Sequence, residues 1–321
     1  MSPARTTDLA EARMRVRRRR FFTQTDLVGY LFISPWLVGF LVFTLFPFVA
    51  SLIISLTNWE IVGDWEFVGT ANYQKMLSGN DRLFLESLKV TFTYSLTRVP
   101  LIQMFALALA CLLNQPIKGR AVFRTIFYLP AVTAGVATAY LWAYLFSSNG
   151  GIINTALGLV GIEGPNWLYS TEWSLPTLII LSCWNVGTSM LIYLAALQAV
   201  PESLHEAAMI DGAGVLKRFW HVTVPMITPA IFFNMVLGII GSFQGFTDAF
   251  IITQGGPGYS TLLYTLYLYR TAFSDLHMGY AAALAWILFL ILLAFTAVQM
   301  VLSKRWVYYE GGQSDSGSHK P

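Results

Sequence analysis

The sequence predicts an all-α membrane protein with six transmembrane helices and a cytoplasmic helical hairpin between the fourth and fifth. Three observations carry this fold class. Of 321 residues, 55% are hydrophobic and only 12% are charged, against about 25% charged in an average globular domain. Ten of the 37 charged residues crowd into the first 26 positions. No Asp, Glu, Lys or Arg occurs in 27–59, 99–117, 125–162, 173–201, 219–247 or 276–303. This pattern excludes an ordinary soluble domain and a disordered chain.

Each element follows from these windows. A bilayer core about 30 Å thick needs roughly 20 helical residues. Trimmed at Pro, Gly and polar clusters, the windows give spans at 36–57, 92–113, 127–146, 175–199, 230–252 and 280–302. They lack a period of two and are too long for barrel strands, so helices are expected. The chain then divides into a basic N-terminal arm (1–26), a transmembrane domain (27–303) containing the loop 200–229, and a C-terminal tail (304–321).

Orientation follows from the positive-inside bias. The termini and the loops around 114–126 and 200–224 hold 15 of the 20 basic residues. The opposite loops hold Lys75, Arg82, Lys89 and Arg270, and Arg98 falls inside the second span. Both termini are therefore expected in the cytoplasm. Next to a span, the run Arg17–Arg20 reads as an anchor rather than a nucleic-acid site. The apolar stretch behind it is too long for a cleaved signal peptide and has no small-residue cleavage site. Cys111 and Cys183 have neither CxxC nor Cys/His spacing and read as ordinary buried thiols, and the four histidines show no metal-ligand pattern.

The loop 200–229 is the most informative segment. Ser203-Leu204-His205-Glu206 has the form of a capping box, which predicts a helix starting at Ser203. Ala207 and Ala208 leave room for close approach. Gly212 and Gly214 tolerate positive φ and predict a sharp turn. Val215, Phe219 and Val222 recur at i, i+4 and i+7, predicting a second helix before Pro225. Glu206 and Asp211 edge this hairpin, which is either a structured loop or a docking surface.

EAAMIDGAG followed by VTVPM closely resembles the EAA loop of permease subunits of bacterial ABC importers. Glu206, Ala207, Ala208, Gly212 and Pro225 match that pattern position for position, and Asp211 and Ala213 match its carbohydrate-importer version. FVGTANYQKML at 67–77, GRAVFRTIFYLPAV at 119–132, GGIINTALGLVGI before Trp167-Leu168, and TQGGPGYST at 253–261 resemble further stretches of MalF-like carbohydrate permeases. Val224 stands where Leu is usual, and Val90-Thr91 where Asn-Thr is common.

The resemblance implies an inner-membrane ABC permease subunit for a sugar. Glu206, Ala207, Ala208, Asp211, Gly212, Ala213 and Pro225 would then couple it to a separate ATPase. It implies a second, homologous permease, two ATP-binding cassette subunits that hold ATP and Mg²⁺, and an extracytoplasmic solute-binding protein. No cofactor is expected in this chain. The chain is not expected to be an enzyme, because it has no Gly-Lys dipeptide and hence no phosphate loop.

Polar groups inside spans are functional candidates by default. Asp248 and Gln244, late in the fifth span, are candidates for the substrate path, as are Gly255, Gly256 and Pro257 just beyond it. Asp248 also reads as an interfacial residue paired with a neighbour, and the Gly-Pro stretch as a plain turn, which does not exclude a place at the outer mouth. Arg98 is either a bundle salt bridge or a substrate contact. As the only intramembrane cation it favours a neutral sugar over a phosphorylated one. Rival classes are a glycerol-3-phosphate or polyol importer, a secondary transporter and an intramembrane enzyme. The last two predict inverted repeats or paired catalytic groups.

Overall fold

The computed structural model describes residues 24–61, 63 and 65–308. The arginine run 17–20 and most of the C-terminal tail lie outside them. The chain falls into two compact units, residues 1–53 and 54–321. The described part of the first is α1 (Gln24–Phe40), a π-helical turn (Leu41–Leu45) and most of α2 (Phe46–Ser55). The π turn ends immediately before Phe46-Pro47. A proline has no N–H to give its fourth predecessor, and the helix widens there, with the Phe46 N–H reaching the carbonyl of Leu41.

Among the described residues of the second unit, the regular elements are all helical apart from an isolated bridge between Thr57 and Phe67. Its axis is α4 (Arg82–Asn114), which follows the short α3 (Ala71–Leu77). Asp81 caps α4 through its carboxylate, which accepts from the Phe84 N–H at 2.9 Å. Buried residues on α4 recur at three- and four-residue spacing, among them Phe84, Ser87, Thr91, Tyr94, Ile102, Ala106, Leu109 and Leu113. That stripe faces neighbouring helices along the whole length of α4. Phe84 and Tyr94 belong to one core with Phe243, Tyr264 and Leu284. Ile102, Ala106 and Leu113 belong to another with Met190, Tyr193 and Ile227.

The third and fourth expected spans are bent pairs. α5 (Arg120–Val132) and α6 (Gly135–Leu145) meet at 101°, and α7 (Ile152–Leu159) follows. α8 (Ser174–Ser182), with a 3₁₀ turn at Cys183–Asn185, meets α9 (Gly187–Ala199) at 49°. The second break packs tightly on α5. A Cβ at Gly187 would lie 2.4 Å from the Phe127 carbonyl oxygen. After α10 (Glu202–Ile210) and α11 (Val215–Arg218), a π turn (Phe219–Thr223) leads into α12 (Val224–Phe243). The Val224-Pro225 pair repeats the arrangement at Phe46-Pro47, again with a π turn just before it. The chain closes with α13 (Tyr264–Phe273) and α14 (Met278–Ser303).

Among the described residues, four helical segments are long and apolar enough to cross a membrane, or up to six if each bent pair counts as one span. The fifth differs from the sequence expectation of 230–252. The Val215–Phe243 segment already begins at the second hairpin helix and stops at Phe243, where Gln244 takes the C-cap and Gly245 turns the chain. Asp248 precedes a separate π-helical turn, Ala249–Thr253, and is not part of a continuous span. α13 was not legible as an apolar span, because it mixes Thr, Arg and four aromatic residues.

Candidate functional site

The loop between α9 and α12 folds as helix, turn and helix. α10 begins at Glu202, with Pro201 as its extended N-cap and no side-chain cap bond. This corrects the capping box expected at Ser203. Pro201 already holds the helical φ, and Glu202 places a carboxylate in the first turn, where it opposes the helix dipole. Gly212 has φ +77° and ends α10, its N–H donating to Met209 O and the Ala213 N–H to Ala208 O. Gly214 departs from expectation. It is extended (φ −68°) because it is the N-cap of α11, a position that needs no left-handed backbone.

The predicted second helix is only four residues long before it widens and continues into α12. Its expected apolar face is not buried. Val215 is 73% exposed, and Phe219 and Val222 are partly buried. Glu206, Ala207, Asp211 and Gly212 are exposed, and Ala208, Ala213 and Pro225 are half-buried. Around them stand Met209, Ile210 (87% exposed), Leu216 and Trp220, all exposed. A two-helix tip this apolar, rimmed by two carboxylates, has the anatomy of a protein-docking surface.

A second feature was not found from the sequence. Between α4, α8–α9 and α12 lies a cavity of about 180 Å³ lined by Arg98, Gln103, Asn185, Thr188, Ser189 and Asn234. Gln103 is buried and bonded at both ends of its amide. Its amide Nε2 donates to Asn234 O at 3.0 Å and its Oε1 accepts from Tyr193 OH at 2.8 Å. Asn185 and Thr188 are exposed at the break between α8 and α9, and their side chains make no hydrogen bond among the described residues. On α12 the lining includes Gly238 and Gly241 beside Asn234 and Leu237. A Cβ at Gly238 would come within 3.2 Å of Val99 and Gln103, whereas one at Gly241 would meet nothing within 4 Å. The only sequence signal was a set of single polar residues in otherwise apolar windows.

None of the five residues expected along the substrate path lines this cavity. Gln244 is exposed and Asp248 half-buried, and Asp248 lies within electrostatic reach of Arg98. Gly255 (φ +74°), Gly256 and Pro257 form a fastened turn. Gly256 donates to Thr253 O, its carbonyl accepts from Thr261 Oγ1 at 2.8 Å, and Arg270 Nη2 donates to Gln254 O. Trp142 and Trp184 pack edge to face on each other at 5.6 Å.

Elsewhere on α4, a buried cluster joins Asp81, Tyr267 and Tyr280. Both tyrosine hydroxyls donate to Asp81 Oδ2, and Lys75 Nζ lies 4.5 Å from the Tyr280 ring centroid. Burial pushes the Asp81 carboxyl up. The hydrogen bonds from Tyr267, Tyr280 and the Phe84 N–H, with the charge of Lys75, outweigh it and hold the group below its ordinary range. Among the described residues, no group of His, Cys, Asp and Glu could hold a metal ion.

Comparison with known proteins gives concordant results. Residues 103–308 match the family described as binding-protein-dependent transport system inner membrane component. The probable ABC transporter permease protein YesP of Bacillus subtilis (strain 168) is 44% identical over 92% of this chain and 96% of its own length. The lactose transport system permease protein LacF of Rhizobium radiobacter is 34% identical over 87% and 95%. Among solved structures, a bacterial ABC transporter importing the acidic polysaccharide alginate shares the fold. Its TM-score is 0.77, at 23% identity, covering 88% of this chain and 96% of that one.

Proposed function

The chain belongs to the family of binding-protein-dependent transport system inner membrane components, and we propose that it is a sugar-importing permease subunit driven by a separate ATPase. The observation that carries the proposal is the tip at 202–216, whose apolar side chains Met209, Ile210, Val215 and Leu216 have no cover among the described residues. In this reading it seats in a cleft of the ATPase subunit. Ala207 and Ala208 allow close approach, Glu206 and Asp211 accept charge-assisted hydrogen bonds, and Gly212 and Ala213 shape the turn. Pro225 marks where the hairpin passes into the fifth span. ATPase closure then moves the tip as a lever and switches the permease between inward- and outward-open states.

The full assembly contains a second permease, two ATP-binding cassette subunits that bind ATP and Mg²⁺, and an extracytoplasmic solute-binding protein. The relatives support the solute-binding protein and the sugar substrate. One is named for lactose transport, and a structure sharing the fold was solved with a pentasaccharide-bound periplasmic protein. In this reading six spans put both termini on one side, and the Lys/Arg bias of the loops assigns the arm 1–26 and the tail 304–321 to the cytoplasm. The domain 27–303 then carries the path, with Gln244, Asp248, Gly255, Gly256 and Pro257 near the outer mouth. The Arg98–Asn234 cavity lies further in, near the midpoint of α4.

Gly212→Pro tests the coupling. Proline cannot take φ +77° and has no N–H for Met209 O, so the variant should insert but neither retain the ATPase on purification nor support uptake. Glu206→Lys, which leaves the backbone unchanged, should weaken ATPase retention in the same direction. Normal ATP-dependent uptake in Gly212→Pro, or sugar transport by the purified chain without ATP, overturns the proposal.

A further inference from the structure

The hairpin has a second cavity at its root. About 250 Å³ lies between the end of α4, α9, α10, α11 and the π turn Phe219–Thr223, lined among others by Asn114, Gln115, His205, Val215, Arg218 and Thr223. No Asp or Glu contributes to that lining. Arg218 is half-buried, and its Nε is shut off from solvent without a hydrogen-bond partner. The ion pair found among the described residues joins His277 to Glu60, so none of their carboxylates pairs with this guanidinium. The carbonyl end of α4 at Asn114 favours a cation nearby, but backbone dipoles do not neutralise it.

The cavity and the apolar tip share residues. His205 precedes Glu206 on α10, and Val215, which lines the cavity, is 73% exposed at the start of α11. A partner that covers Met209, Ile210, Val215 and Leu216 therefore closes the cavity mouth and takes Arg218 out of water. An ion enclosed in an interface is costly unless a counter-ion meets it. Whatever covers the tip has to bring a negative charge to its root.

We propose that this cavity receives an acidic side chain of the ATPase subunit, an Asp or Glu whose carboxylate takes the Arg218 fork and an N–H of His205. This rests on the reading of the chain as an ATPase-driven permease and adds how the partner is recognised. A guanidinium matches a carboxylate with two parallel N–H···O bonds. An imidazole keeps at least one N–H in either protonation state, and Asn114, Gln115 and Thr223 supply further donors for the remaining lone pairs. The hairpin then meets the ATPase with both signs. Glu206 and Asp211 accept at the exposed tip, and Arg218 donates at the root. Contacts of opposite sign at two points fix the register of docking and reject a partner with the wrong charge pattern. A lever held at tip and root turns with the ATPase instead of slipping in its cleft.

The experiment uses the complete transporter, purified with its ATPase. Arg218→Lys in a Lys217→Arg background puts an amine at the root and removes the neighbouring one, and a carbodiimide then joins that amine to a carboxylate in direct contact. Peptide mass spectrometry should find the amide on an Asp or Glu of the ATPase subunit. Arg218→Glu should weaken ATPase association at least tenfold and Arg218→Gln by less, with membrane insertion and the melting temperature of the permease preserved. Raising the salt concentration should weaken association of the wild type more than that of Arg218→Gln. A cross-link to this chain's own Glu202, Glu206 or Asp211 overturns the proposal, as does no cross-link to the ATPase in a variant that retains it. Wild-type association in Arg218→Glu overturns it too. So does phosphatidylglycerol held by the ATPase-free permease and lost in Arg218→Gln, which would give the cavity to a lipid headgroup. Each of these leaves the importer reading standing, whereas a wild-type permease that binds no ATPase removes both.

Discussion

Asp81 and Arg98 lie on or at the cap of the same helix, seventeen residues apart, or about 25 Å along its axis, and they carry opposite lessons. Asp81 is 8% exposed and fully answered. It accepts from two tyrosines and from the backbone of its own helix. Arg98 is half-buried, lines a cavity and has an orphaned Nε. A satisfied buried network specifies one arrangement of the elements that meet there. An unsatisfied one costs stability and leaves the arrangement around it less fixed. Satisfaction of polar groups, more than polarity itself, thus separates a charge that fixes packing from one left at a cavity wall.

The contrast can be broken at several points. The largest expected effect is at the structural end. Asp81→Ala removes the α4 cap, worth about 0.5–2 kcal/mol, and orphans two buried hydroxyls at about 1–3 kcal/mol each. It should therefore destabilise the protein by roughly 3 kcal/mol or more, read as a lower melting temperature in detergent. Uptake should fall only as folded protein falls. A melting temperature within a degree of wild type would make the cluster incidental.

At the cavity end the sign pattern reverses. Gly241→Leu points a side chain into open space, so stability should stay within about 0.5 kcal/mol while ATP-dependent uptake drops tenfold or more. Uptake unchanged by that substitution would remove the cavity from the solute path.

The smallest effect is the response to acid. The Asp81 carboxyl titrates below its ordinary value of 3.8 in the fold, so the unfolded chain takes up its proton first as pH falls. Its contribution to stability is complete above about pH 4 to 5 and is lost as pH drops through the lowered value. A melting-temperature decline below pH 4 that is smaller in Asp81→Asn than in wild type is the expected result. An identical decline in both would place the acid sensitivity elsewhere.

Much of the frame was legible in the sequence because hydrophobicity is read residue by residue. Charge-free windows located the four continuous apolar segments and the two bent pairs, and Gly212 announced its left-handed turn because few other residues tolerate one. Ends and bends were less legible. Pro225 suggested a fresh start for the fifth span, but the chain absorbs it by widening the preceding turn, as it does before Pro47. The fifth helix also stops at Phe243 although the apolar pattern continues to 252.

Those differences share a physical cause. Composition and period determined that this chain is helical, bound for a membrane and equipped with an exposed hairpin, since each property depends on neighbours within a few residues. Which polar groups are answered depends on contacts far apart in the chain. Gln103 meets Asn234 across 131 residues, and Asp81 meets Tyr267 across 186. Tertiary packing alone decided that Asp81 would be satisfied and Arg98 left open to a cavity.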